Sequence, residues 1–134
     1  MIQATLYHNR FEMRGHALPE EGEDYVRVCA SATTLAFLLG DALDEKDKLK
    51  GYDIKTGDLT LAYQPGATAK RVADVVDCGF RRLARDYPNY IQYQNCAGKR
   101  IATAQAPRND KDGRFADTAD GCEPSLRVDG EAVQ

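Results

Sequence analysis

Ile2-Gln3-Ala4-Thr5-Leu6-Tyr7 runs into His8-Asn9-Arg10 and then into Phe11-Glu12-Met13-Arg14-Gly15-His16-Ala17. In the first run Ile2, Ala4 and Leu6 alternate with Gln3, Thr5 and Tyr7, so one set of side chains lies on each face of an extended strand. His8-Asn9-Arg10 reads as a turn, and the second run then pairs back on the first. The expected element is a β-hairpin that ends at His16. A start made of short alternating strands points to a sheet with one buried face, and the rest of the chain must supply what covers it.

The cover is legible further along. Val28, Ala32, Leu35, Ala36, Leu39 and Leu43 recur at steps of three and four, the stripe of a helix packed on a core. The acids and lysines of 44–50 end it in solvent. Residues 52–56 and 59–63, separated by the turn pair Gly57-Asp58, suggest a second hairpin, which Pro65-Gly66 breaks. A second stripe follows in Val72, Val75, Val76, Gly79, Phe80 and Leu83, with Lys70, Arg71, Asp74, Asp77, Arg81, Arg82 and Arg85 on the opposite face. Pro88 stops that helix, and 90–93 reads as a last strand. The expected order is ββαββαβ, a two-layer α+β sandwich with two helices on a mostly antiparallel sheet. No internal repeat is visible.

Two segments lack such periodicity. Residues 18–24, with Pro19, Gly22 and four acids, read as an exposed, mobile loop. From Asn95 onward polar residues dominate and the apolar pattern is lost. The division expected is therefore a domain over 1–94 and a polar, mostly disordered tail over 95–134.

Composition narrows the function. A chain of 134 residues, 43% hydrophobic, suffices for one domain with a real core. A formal charge of −3 and a pI near 5.4 argue against direct binding of nucleic acid. The first residues lack the basic start and long apolar run of a secretory signal, and no membrane span is expected. Cys29, Cys78, Cys96 and Cys122 form no close CxxC pair, so neither a metal nor another cofactor is implied. A cytoplasmic location with reduced thiols is the expectation.

His16 at a strand end and Cys29 at the expected start of a helix are separated by a loop of 12 residues, long enough to fold back and bring them together. Partial positive charge at a helix N-terminus, or a neighbouring imidazolium, favours a thiolate, and free N–H groups there can hold an oxyanion. The pair on its own fits either catalysis or an ordinary core cysteine beside a solvated histidine. Asp24 is a candidate third member that would orient His16, or else a loop acid or helix cap. Ser31 and Thr33 read as helix caps more readily than as thiol contacts. Cys78 reads as core, Cys96 and Cys122 as surface thiols, and His8 as a solvated turn residue.

Gly15-His16-Ala17, the acidic Gly-containing loop, Asp24, and Cys29-Ala30-Ser31 resemble the signatures of the ribosomal-processing cysteine protease family. Leu35-Ala36, Gly51-Tyr52-Asp53 and Asp86-Tyr87-Pro88-Asn89-Tyr90-Ile91 fall in the family's order, so the resemblance spans about residues 1–93. It implies Cys29 as nucleophile and His16 as base. It implies as substrate a short N-terminal extension of a large-subunit ribosomal protein, whose removal serves ribosome assembly, or a phage structural protein with a similar site. It also implies a homodimer and a His-to-Cys loop that orders over bound peptide. The chain departs from the family pattern in Leu18-Pro19, in two extra residues between Asp24 and Cys29, and in Thr33 where a serine is usual. The rival expectation is a catalytically idle dimeric module that grips the same peptide without cutting it.

Overall fold

A computed structural model describes residues 1–98. Strands β1 (Ile2–Leu6) and β2 (Arg10–Arg14) form the first hairpin, with Gln3 opposite Arg14 and Leu6 opposite Phe11. Helix α1 (Tyr25–Glu45) follows, then β3 (Leu49–Lys55), β4 (Asp58–Tyr63), α2 (Ala67–Asp86) and β5 (Ile91–Asn95). The sheet order is β3-β4-β2-β1-β5, with β5 parallel to β1 and the other pairs antiparallel. This is the expected ββαββαβ α+β sandwich.

The alternation of the first strand explains the layering. Ile2, Ala4, Leu6, Phe11, Leu59 and Leu61 come from one face of the sheet and share a core with both helices. The α1 stripe supplies Val28, Ala32, Ala36, Leu39 and Leu43, each with no exposed surface. The α2 stripe supplies Phe80, whose ring lies 5.2 Å from Phe11 and 5.3 Å from Tyr93. By length and composition α1 could also cross a membrane, which the sequence reading did not anticipate; its fully buried stripe against the sheet is that of a core helix.

Other details differ from expectation. Helix α1 begins at Tyr25, not near Val28, because Tyr25 already packs against the core and the Val28 N–H reaches the Asp24 carbonyl at 2.9 Å. The β3–β4 turn is Thr56-Gly57, since Lys55 pairs with Asp58. On α2, Val75 and Cys78 face solvent, whereas Asp77 is buried. Its carboxylate is held by Tyr93 at 2.7 Å, Asn95 at 2.9 Å and Arg81 at 2.6 Å, so β5 draws a charged residue inward where an apolar one was expected. Strand β5 runs one residue past the expected domain end, and Cys96 beyond it is buried against Tyr7 and disulfide-bonded, not a free surface thiol. Beyond Gly98 the expected tail, with Cys122, lies outside the described residues.

Candidate active site

The sheet brings two separate segments to His16. Gly15, directly after β2, has φ +90, and a Cβ there would run into the Met1 carbonyl. Its N–H donates to the Gly57 carbonyl at 2.9 Å, which ties the end of β2 to the tip of the β3–β4 hairpin. Gly57, at φ +76, therefore lies under the His16 ring: a Cβ added to it would stand 2.7 Å from Nε2. The imidazole itself is exposed, and the His16 carbonyl accepts a hydrogen bond from the Met1 amine at 2.6 Å.

Cys29 is half-buried in the second turn of α1. Its Sγ accepts the Ala17 N–H at 3.3 Å and lies 3.7 Å from the Ala17 carbonyl oxygen. The thiol thus touches the backbone of the residue next to His16. Both residues line one open groove with Leu18, Pro19, Tyr25 and Val26. They also share a smaller cavity of about 130 Å³, walled by Thr33, Phe37, Ile54 and Leu59. The first-turn N–H groups of α1 belong to Tyr25, Val26 and Arg27, one turn before Cys29. Cys29 therefore lacks the helix-tip position from which the helix end would favour its thiolate or hold an oxyanion beside it.

The 18–24 segment is less free than its composition suggests. Pro19–Glu21 forms a short 3-10 turn. The Glu21 carboxylate accepts the Met1 amine at 2.7 Å and the Leu18 N–H at 3.0 Å. The bound ammonium, with the Leu18 N–H, holds the Glu21 carboxyl below the usual carboxylate range. Asp24 is the N-cap residue of α1 without a side-chain cap bond. Its carboxylate lies 2.7 Å from the Arg27 guanidinium and makes no hydrogen bond to His16. Arg27 also meets Tyr87, which with Asp24 holds its guanidinium more firmly protonated. Ser31 and Thr33 lie inside α1 and cap nothing, whereas Thr33, four residues after Cys29, shares its face and lines both cavities. That spacing was visible in the sequence. Gly57, Ile54 and Phe37 come to the site only through tertiary contacts, and no local pattern announces them. His8 is exposed in the β1–β2 turn, away from the groove. Among the described residues no group of three or more His, Cys, Asp or Glu could hold a metal ion.

A thiol and an imidazole on one open groove suit acyl transfer through sulfur. A family model described as cysteine protease Prp matches residues 1–92. Among solved structures, SMU.848 from Streptococcus mutans is similar with a TM-score of 0.59 and 23% identity, over 72% of this chain and 98% of that one. An essential ribosomal processing protease Prp from S. aureus is similar in two complexes, each over 70% of this chain and 96% of that one. With a covalently linked product peptide the TM-score is 0.56 and the identity 17%; with a substrate peptide they are 0.55 and 16%. At these identities the likeness is one of fold. Among curated proteins none matches the sequence.

Proposed function

The chain belongs to the cysteine protease Prp family, and on that footing we propose that Cys29 is its nucleophile and His16 its general base. Peptide hydrolysis follows from the family. The assignment to these residues is carried by one observation: the Cys29 sulfur lies 3.3 Å from the N–H of the residue after His16, and both side chains open onto one groove. His16 removes the thiol proton as sulfur attacks the scissile carbonyl, then returns it to the departing amine. A thioester remains on Cys29. Water, deprotonated by His16, attacks that thioester and releases the acid and the thiol. The Ala17 N–H, already aimed at the sulfur, serves the oxyanion that forms beside it. Asp24, engaged by Arg27, acts as a helix-start acid and stays outside the dyad.

The substrate in this reading is a short N-terminal extension of a large-subunit ribosomal protein, or a phage structural protein with a similar site, met in the cytoplasm. The S. aureus relative, described as a ribosomal processing protease with substrate and product peptides, supports it. Exposed Glu20 and Glu23 in the segment that flanks the groove suit a basic peptide. A homodimer is supported by exposed apolar Phe37, Leu38, Tyr52 and Ile54, which a second copy would cover. The test is incubation with extension peptides. The native chain makes a single cut, and Cys29→Ala and His16→Ala make none. Cutting by Cys29→Ala would end the proposal, whereas native chain that binds without cutting would point to the idle module.

A further inference from the structure

The tyrosine that precedes β5 bears directly on the segment between His16 and Cys29. Tyr90 is 8% exposed. Its backbone is fixed on both sides, since its N–H donates to the Tyr87 carbonyl at 3.0 Å and its carbonyl accepts the Ile2 N–H at 2.8 Å. Its ring meets that of Tyr87 edge-on at 6.1 Å between centroids. The side chain is therefore a post rooted in the sheet. At its tip the hydroxyl accepts the Asp24 N–H at 3.2 Å. The same hydroxyl occupies the space a side chain at residue 22 would need. Gly22 has φ +138, and a Cβ there would collide with the hydroxyl and stand 2.9 Å from Cζ.

These contacts fall where α1 lacks its usual fastening. Asp24 makes no side-chain cap bond, so the common device that fixes a helix start is missing. Cys29 stands five residues after Asp24 on that helix, while His16 is fixed separately, by the sheet and by Gly57. The relative position of sulfur and imidazole thus depends on how the start of α1 is held against the sheet. We propose that Tyr90 is a positioning residue for the dyad: its hydroxyl, bonded to Asp24 N–H and seated on Gly22, sets the start of α1 and so the reach of Cys29 toward His16. The proposal rests on the dyad assignment made above.

Tyr90→Phe keeps the buried ring and deletes only the hydroxyl. The expected result is a fall in kcat of about three- to tenfold for peptide cleavage, the range of one lost hydrogen bond to a neutral group, with KM changed less than twofold. Amide exchange at residues 22–25 speeds up by a similar factor. Gly22→Ala pushes the segment off the hydroxyl and lowers kcat likewise. Combined with Tyr90→Phe it adds little, because both act on one contact. Wild-type kcat and exchange in Tyr90→Phe would overturn the proposal, as would a loss confined to KM or losses that add fully in the double variant. The exchange measurement needs no turnover. If the native chain cuts no peptide and Tyr90→Phe still frees 22–25, the dyad assignment fails while the anchoring of α1 stands. If the native chain cuts and Tyr90→Phe behaves as wild type, the positioning role alone fails.

Discussion

Replacing Gly57 with Ala tests whether the imidazole works where the structure places it. Two effects act at once. Gly57 has φ +76, where a residue with a Cβ is strained by about 1–2 kcal/mol. Its new Cβ would stand 2.7 Å from His16 Nε2, whereas ordinary contact starts at 3.4 Å, so the exposed ring must retreat by about 0.7 Å. A displacement near 1 Å at a reacting group costs about 100-fold, so kcat should fall by about 10- to 100-fold. Gly66→Ala separates strain from collision, because Gly66 has φ +147 with no atom within 4 Å of the added Cβ. The assay is peptide cleavage at saturating substrate beside thermal melts of both variants. Both should melt a few degrees lower, and only Gly57→Ala should lose turnover. A Gly57→Ala enzyme with wild-type kcat and a lowered Tm would refute the placement of His16.

Three further outcomes follow from the packing. Phe80→Ala removes a fully buried ring that stacks on Tyr93 and meets Phe11 at a tilt, and should cost about 3–5 kcal/mol in denaturant unfolding. A chain ending at Gln94 should be about 2–3 kcal/mol less stable than one ending at Gly98. It loses the Asn95 bond to Asp77, the Cys96 N–H bond to the Leu6 carbonyl and the buried Cys96 side chain, and equal melting of the two would show that these contribute nothing. Burial raises the hydroxyls of Tyr63 and Tyr93 above the usual tyrosine range, the latter helped by its bond to Asp77. Their contribution to stability is thus complete below about pH 10 and is lost as pH rises further, at about 1.4 kcal/mol per pH unit for each. Tyr63→Phe, which also gives up the bond to the Tyr7 carbonyl, should be less stable at pH 7 yet lose stability less steeply between pH 10 and 11.

How much of this was legible depends on the range of the forces involved. The strand at Ile2–Leu6 and the α1 stripe are local periodicities, and both stand where the sequence placed them. The helix start was misplaced because Tyr25, three residues before Val28, continues the stripe directly out of the acidic segment, with no cap bond or apolar lead-in to mark it, and this moved Cys29 from the helix tip into its second turn. Cys78 and Asp77 exchanged places because the partners of Asp77, Tyr93 and Asn95, lie on another element. The 18–24 segment looked unanchored because neither the Met1 amine nor the Tyr90 hydroxyl is adjacent to it in sequence. Cys29 and His16 were found through the motifs around them. Their common groove, and Gly57 beneath the imidazole, exist only once the two hairpins and α1 are assembled.

The most direct test of the central claim is mass spectrometry of the protein quenched in acid during turnover of an extension peptide. A covalent adduct equal in mass to the acyl part of the substrate is expected on the tryptic fragment that carries Cys29. It should be absent in both Cys29→Ala and His16→Ala. Cleavage that proceeds with the acyl group on Cys78, or undiminished in Cys29→Ala, would contradict it.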